Sequence, residues 1–331
     1  MSVVTVTSAA YLGPEGTFTH QAVLDWTALH AKQPGEEPAG AARGVTAVPL
    51  TTVKDVHDAV AAGSADVGVV AIESSVEGYV VPSLDALVGS PDVVAVDEVV
   101  LDVSFDAFVR PGHGELTEVS AHPHGLAQCA RFVAAQGLVP VPATSNAAAC
   151  RDAGPHTVAL GPRLCGELYG LDTYARAVED FRGGRTRFLV LARRADAPAH
   201  LARSQDAGER SWRTMLAITP VLTGPGVLAR ITAAFGDRGV NMSSLITRPL
   251  KVQQGTYVFV VTCDEAPWQP GARAVLDDLL AAGDSLKTLG VFPAGAGSYA
   301  ALDGALDPDH VPVGSVSASA PDDERARGLL W

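Results

Sequence analysis

The chain has 331 residues, 47% of them hydrophobic and 18% charged, which supplies material for sizeable cores and argues against wholesale disorder. Aspartate and glutamate total 37 against 24 lysines and arginines, a formal charge of −13. That balance argues against broad binding to nucleic acid or acidic membranes, but not against a small anion held by a few local donors. Four cysteines, Cys129, Cys150, Cys165 and Cys263, form no CxxC pair and read as buried reduced thiols, with no metal site. No apolar run approaches the roughly 20 residues of a membrane span. The segment MSVVTVTSAAYLG lacks the basic stretch of a secretory signal, so the expected compartment is the cytoplasm.

Residues 8–193 alternate short β-rich runs with Ala-rich stretches. Helices are predicted at 18–31, 52–62, 82–88, 124–136 and 145–153, and strands at Val67–Ile72, Leu101–Val109, Thr157–Leu160 and Arg187–Leu191. This alternation predicts an α/β domain with largely parallel sheets, built as one body or as two lobes around a cleft. Residues 194–212 carry charge, Pro and Gly with little apolar periodicity and read as a linker. From 213 to 293 the rhythm changes. A strand at Thr214–Leu222 leads to a helix from near Pro225, with Val227, Leu228, Ile231 and Phe235 on one face and Gly239 as its stop. Strands at 240–249 and 255–262, a helix at 271–282 and a strand at 286–292 complete βαββαβ, the ferredoxin-like order. Residues 294–331, rich in Ala, Gly, Ser, Asp and Pro, read as a disordered tail.

Four segments carry chemistry. Tyr11–His20 joins an apolar strand end to a Gly/Pro turn and a helix start, where backbone N–H groups can cradle an anion. Ala71–Gly78 follows a buried strand, the usual place for ligands in α/β sheets. Ser74 and Ser75 can donate hydrogen bonds there, and Glu73 and Glu77 can act as acids, bases or ion-pair partners; the segment also fits a plain helix cap. Ala121–Cys129 holds His122, His124 and Gln128, with no third metal ligand at a fitting spacing. Gly184–Phe188 places the Thr186 hydroxyl between Arg185 and Arg187, which suits a carboxylate-bearing substrate or an exposed strand start.

These segments, in this order, resemble prephenate dehydratase. Gly13–Phe18 matches the family's opening Gly-Pro-x-Gly-Thr-Phe, and Ile72–Gly78 matches its Ile-Glu-Asn segment in part. His122, Pro123 and Gln128 match its His-Pro…Gln, Leu160-Gly161 and Leu168–Leu171 its Leu-Gly…Leu-Tyr-Gly-Leu, and Thr186–Phe188 its Thr-Arg-Phe. Residues 213–293 resemble an ACT regulatory domain, with Gly226–Leu228 for Gly-Ala-Leu and Thr247–Pro249 within the Glu-Ser-Arg-Pro segment. The chain departs from the pattern at Ser74, where the family has Asn, at Ala121, where it has Ser or Gly, and at Ile246, where it has Glu.

The resemblance implies a two-lobed, periplasmic-binding-protein-like catalytic domain with its site in the cleft, followed by the ACT domain. It implies dehydration and decarboxylation of prephenate to phenylpyruvate in phenylalanine biosynthesis, with no metal or redox cofactor. By the same resemblance Thr186 assists the departing hydroxyl. Arg187 orients a substrate carboxylate or forms an inter-lobe ion pair, and Phe188 packs against the sheet or the ring. Thr17, Ser74, Ser75, Gln128 and His122 are candidate contacts. The implied assembly is a homo-oligomer, dimer or tetramer, binding an aromatic amino acid, phenylalanine first, at Gly226, Val227, Leu228, Asn241 and Ile246. A prephenate decarboxylase that retains the ring hydroxyl and a catalytically inactive amino-acid-binding regulator are the alternatives.

Overall fold

The computed structural model describes residues 5–30, 44–206, 211–250, 257–294, 315–316 and 320–329. The first lobe opens with β1 (Ser8–Leu12), α1 (Phe18–His30), β2 (Thr46–Leu50), α2 (Val53–Ala62), β3 (Val67–Ser74), β4 (Gly78–Tyr79), α3 (Val81–Gly89) and β5 (Val93–Asp102). Local chemistry sets these limits. Thr52 caps α2 in a reciprocal capping box with Asp55, and Gly63 closes it in the left-handed conformation. The chain then crosses to the second lobe. There lie β6 (Asp106–Val109), β7 (Glu118–Ala121), α4 (Pro123–Gln128), α5 (Ala130–Gln136), β8 (Val139–Pro142), α6 (Asn146–Arg151), β9 (Thr157–Gly161), α7 (Leu164–Tyr169) and β10 (Asp172–Ala175). It returns as β11 (Arg185–Arg193).

After α8 (Ala197–Asp206) come β12 (Trp212–Thr219), α9 (Val227–Asp237), β13 (Met242–Pro249), β14 (Tyr257–Cys263), α10 (Pro270–Ala281) and β15 (Ser285–Pro293). This is the ferredoxin-like βαββαβ order. The described residues after 298 belong to a separate unit, which contains α11 (Asp322–Leu329), whose acidic first turn complements the helix dipole. Most of the expected disordered tail lies outside the described residues; the part that is described near the C-terminus is this helix.

The sheets are mixed, not largely parallel. In the first, β1 pairs in parallel with β2 and β3, while β11 runs antiparallel between β3 and β5. The second sheet has the order β10-β6-β9-β7-β8, antiparallel at β10-β6-β9 and parallel at β9-β7-β8. The antiparallel members are the strands that carry the chain between lobes, and alternation of strand and helix does not reveal their direction. Two lobes joined by crossing segments make the periplasmic-binding-protein-like plan.

Three predicted stretches take another form, and β2, β4, β7, β8, α7 and β10 lie where the sequence reading places no element. The strand predicted at Leu101–Val109 is two strands, because the chain changes sheets at residues 103–105. The helix predicted at 124–136 breaks at Cys129, whose non-helical backbone (φ −117°, ψ 27°) lets its side chain enter the second-lobe core. The stretch read as a linker holds α8, with Pro198 in the first turn and Ala197 buried against Val94, Val96 and Ala192. The strand start predicted at 255–256 lies outside the described residues.

The ferredoxin-like unit does not stand apart. Its sheet joins that of the first lobe in one ten-stranded sheet, ordered β13-β14-β12-β15-β5-β11-β3-β1-β2 with β4 on β3. The join is the parallel bridge Gly290–Ala95. A Cβ on Gly290 would lie 2.7 Å from the Ala95 Cβ, so glycine is what permits the approach. One apolar core spans the join: Met215, Ala217, Leu289 and Phe292 pack with Ile72, Leu84, Leu87 and Leu191. Arg248 clasps Asp85 on α3 with two bonds of 2.9 Å, and Lys287 caps the same helix through the Val88 carbonyl at 2.7 Å.

Candidate active site

The cleft is built where β3, β11 and the crossing segments meet. A cavity of about 280 Å³ opens among Val76, Glu77, Val103, Gln128, Glu179 and Gly184. Its floor is tied by backbone bonds from Val103 N to Gly184 O (2.7 Å) and from Asp180 N to Gln128 O (2.7 Å). Three carboxylates line it, and each meets donors. Glu77 accepts from Gln128 Nε2 at 3.0 Å, Glu179 from Phe105 N at 2.8 Å, and Asp180 from Arg131 N at 3.1 Å. Gln128 thus reaches across the cleft from the second lobe to the first. His124 Nδ1 lies 3.8 Å from the same Glu77, with the His122 ring packed edge-on against it.

Thr186 sits two residues beyond Gly184, half-buried, with Ser74 and Leu101 as its strand neighbours. Its hydroxyl makes no hydrogen bond among the described residues, whereas the other expected hydroxyls are engaged. Ser74 Oγ accepts from Val76 N (3.2 Å) and Glu77 N (3.3 Å) and so shapes the loop. Ser75 Oγ accepts from Arg185 N at 2.8 Å. Thr17 caps α1: it donates to Pro14 O at 3.0 Å and accepts from His20 N at 3.2 Å. His122 caps α4 by accepting from His124 N at 3.2 Å, and its own N–H donates to Asn146 Oδ1 at 2.9 Å.

One expectation changes here, and another takes the first of its two forms. Arg187 is neither open to a ligand carboxylate nor paired between lobes. It is buried, with Nη1 2.7 Å from Glu73 Oε2 and Nη2 3.1 Å from Glu98 Oε2, both acids lying on neighbouring strands of its own sheet. Phe188 is 1% exposed and packs with Tyr11, Trp26, Val99 and Val190, away from any ring in the cleft. Alternation along β11 accounts for Arg187, while Phe188 shares the face of Thr186 but sits further along the strand, in the core under α1. Residues 187, 189 and 191 face the core shared with the ferredoxin-like unit, and residues 186, 188 and 190 face α1.

The glycine turn before α1 makes a second contact between the lobes. Gly16 has φ +83°, and a Cβ there would crowd Cys165 Sγ (3.1 Å) and Tyr169 Cε2 (3.2 Å) of the second lobe. Cys165 donates to Gly16 O at 3.2 Å and Tyr169 Oη to Glu15 O at 2.6 Å, so the Leu-Tyr-Gly segment grips this turn. His20 stacks on Tyr11 with ring centroids 4.9 Å apart and accepts from Gly16 N at 3.1 Å. Burial lowers the His20 pKa, and neutral Nδ1 is what that bond requires.

The expected effector residues do not form one pocket within the chain. Gly226, Val227 and Leu228 stand at the N-terminus of α9, and Asn241 follows its C-terminal end. Ile246 lies against the shared core, on the opposite side of the sheet from Val227. The strand alternates, placing Ser244, Ile246 and Arg248 inward.

Sequence reasoning missed Glu98, Arg213 and Asp264. The signal was present: Glu98 interrupts the apolar run Val93–Leu101, and a carboxylate there demands a buried partner. Arg213 supplies one, with Nη1 3.5 Å from Glu98 Oε1 and Nε 3.3 Å from Asp264 Oδ1.

A family model for prephenate dehydratase matches residues 9–196, and one for the ACT domain matches residues 221–267. A prephenate dehydratase of Mycobacterium sp. (strain JLS) is 34% identical over 296 residues, covering 88% of this chain and 90% of that one. The crystal structure of the Arthrobacter aurescens prephenate dehydratase in complex with L-Phe is similar at a TM-score of 0.69 and 28% identity, over 86% of this chain and 89% of that one. GqqA, described as a novel type of quorum quenching acylase, is similar at a TM-score of 0.71 and 25% identity, over 86% of this chain and 97% of that one.

Proposed function

The chain belongs to the prephenate dehydratase family, and on that premise we propose that it converts prephenate to phenylpyruvate, carbon dioxide and water with Thr186 as the assisting group. The Thr186 hydroxyl, unbonded among the described residues and two residues along the strand from the cavity-lining Gly184, carries this reading, because the neighbouring serine and threonine hydroxyls are committed to the protein's own backbone. The bond from the ring to its carboxylate breaks as carbon dioxide leaves. Its electron pair enters the ring, and the opposite carbon–oxygen bond breaks. The departing hydroxyl takes up a proton and leaves as water. Aromatisation supplies the driving force, so a hydrogen bond from a weakly acidic alcohol suffices. The chain's work is to hold the ring and both carboxylates in a reactive pose and to exclude water.

With Arg187 withdrawn into the sheet, the substrate carboxylates look to backbone donors at the first turn of α1 and to the Gln128 amide. Closure of the lobes is held by Gln128 on Glu77 and by Tyr169 on the Glu15 carbonyl. Glu73, the acid of the Ile-Glu segment, holds Arg187 and with it the strand that presents Thr186.

We further infer a cytoplasmic homo-oligomer sensitive to phenylalanine. No helix among the described residues is long and apolar enough to cross a membrane. Gly226–Leu228 and Asn241 lie at opposite ends of α9, so a pocket using both takes them from two copies of the chain. The ACT match and the phenylalanine complex of the Arthrobacter relative support a sensor.

Incubating the purified chain with prephenate and following phenylpyruvate and carbon dioxide tests the reaction. Carbon dioxide with a product that keeps its ring hydroxyl would replace the dehydratase reading by a decarboxylase. Unchanged prephenate would leave a regulator.

A further inference from the structure

A line of buried charge runs from the regulatory unit to the strand that presents Thr186. Asn241 Nδ2 donates to Asp264 Oδ2. The other oxygen of Asp264 meets Arg213 Nε at 3.3 Å. Arg213 Nη1 meets Glu98 Oε1 at 3.5 Å, and Glu98 Oε2 takes Arg187 Nη2 at 3.1 Å. Arg187 Nη1 ends on Glu73 at 2.7 Å. The signs alternate, and the middle of the line is dry: Glu98 is 0% exposed, Arg213 5% and Arg187 8% by side chain. Only the ends meet solvent, with Asp264 28% exposed and Glu73 22%.

The inner end of this line sits at an irregularity in the sheet. The register of β11 against β3 shifts between Arg187, opposite Glu73, and Phe188, opposite Ala71, which leaves Ile72 as an extra residue. Such bulges bend a strand and re-aim its side chains. The Arg187–Glu73 pair spans the bulge, and Thr186 and Ser74 are the next partners toward the cleft.

We propose that Glu98 and Arg213 are positioning residues for Thr186, and that through them an α-amino acid bound at the Asn241–Asp264 end is read in the cleft. This rests on the dehydratase reading above. The chemistry gives the direction of the effect. An amino acid's ammonium group has a ready partner in the part-exposed Asp264 carboxylate, where it competes with Arg213. Arg213, partly released, leans on Glu98, and Glu98 loosens its hold on Arg187. Each exchange takes place where charge is poorly hydrated, so imbalance at one member is passed to the next and not screened away.

The test uses the full chain, prephenate as substrate and phenylalanine as probe. Phenylalanine should change kcat/KM of the wild type at least about fivefold, the lower range of allosteric coupling. In Arg213→Met and Glu98→Gln, phenylalanine should still bind by calorimetry while that change falls below about twofold. Basal kcat should fall by about tenfold or more with KM nearly constant, as expected when positioning and not binding is lost. Arg213→Lys keeps the charge but not the fork that spans two carboxylates, and should recover basal kcat in part. It also serves if the Met variant does not fold. A wild-type-like phenylalanine response in these variants, or a wild type that turns over prephenate without responding, overturns the proposal. A wild type that does not turn over prephenate removes the dehydratase reading instead. Hydrogen exchange then decides the relay: phenylalanine should alter exchange across residues 185–191 in the wild type and not in Arg213→Lys. The same change in both, or none in either, overturns it.

Discussion

Replacing Thr186 by alanine isolates the chemical role of one hydroxyl with little structural disturbance. The group is half-buried, and its hydroxyl has no hydrogen-bond partner among the described residues, so its loss leaves no orphaned donor or acceptor behind. Its neighbours Ser74 and Leu101 keep their own strand pairing. Stability should therefore change by no more than about 0.5 kcal/mol, the ordinary range for such sites. Turnover should fall far more. A positioned proton donor contributes about 10²–10⁴-fold, which at about 1.4 kcal/mol per decade is about 3–5 kcal/mol of transition-state free energy. KM should stay within a few-fold, since the carboxylate contacts lie elsewhere. Thr186→Ser should retain much of the activity and Thr186→Val should not. The assay is phenylpyruvate formation from prephenate, paired with a urea melt of each variant. Near-normal kcat in the Ala variant would remove Thr186 from the mechanism. An equal loss of stability and turnover would show that the hydroxyl has a structural partner after all.

Phe188→Ala should act on stability, costing about 3–5 kcal/mol in urea titration, because the ring fills a core with Tyr11, Trp26 and Val190; a cost below about 1 kcal/mol would place the ring at the surface. Gly290→Val should lower the melting temperature by the equivalent of about 1–3 kcal/mol, since even a Cβ would lie 2.7 Å from the Ala95 Cβ. An unchanged melt would mean that the two sheets part at this bridge in solution. His57 is buried with neither ring nitrogen partnered, and burial lowers its pKa to about 4. Against about 6.5 in the unfolded chain, the neutral form is favoured on folding. Its contribution is fully present above about pH 6.5 and is lost as pH falls toward 4, about 3 kcal/mol in all. His57→Leu should flatten the urea midpoint between pH 7 and pH 5; an equally steep dependence would assign the loss to other groups.

Element order is legible in the ferredoxin-like unit and for the main helices because it is written locally, while short strands such as β2, β7, β8 and β10 carry too few residues to show a period. Hydrophobic period, a capping box at Thr52 and glycine stops mark helices and strands without reference to the rest of the chain. The merger of two sheets was not legible, since it depends on one glycine opposite one alanine 195 positions away in sequence. Antiparallel passage of β11 between β3 and β5 was hidden for the same reason. Within the site, motif spacing points to Gln128, which lines the cavity, and to Thr186, which lies two residues along β11 from the lining Gly184. Arg187 of the same motif turns to the opposite face, and Phe188, on the face of Thr186, is core under α1. Arg187 and Thr186 are adjacent, and a strand sends adjacent side chains to opposite faces. Which face is the cleft depends on the fold. The apolar surroundings of Glu98 were the readable clue that an arginine would be needed inside.

The shared core has a practical consequence for anyone wishing to separate the proposed sensor from the catalytic lobes. Cutting the chain after β11 would strip Leu84, Leu87 and Leu191 of their cover and leave β5 with one side unpaired. The excised half would in turn bare Met215, Val258, Val260 and Phe292. Each fragment would present a broad oily surface ending in open strand, the combination that drives precipitation. Deregulation by amputation is closed to this architecture. On the proposed phenylalanine response, variants that lose it should instead carry single substitutions that leave the seam intact, concentrated around Asn241 and Asp264 and at the turn before α9, away from the joint.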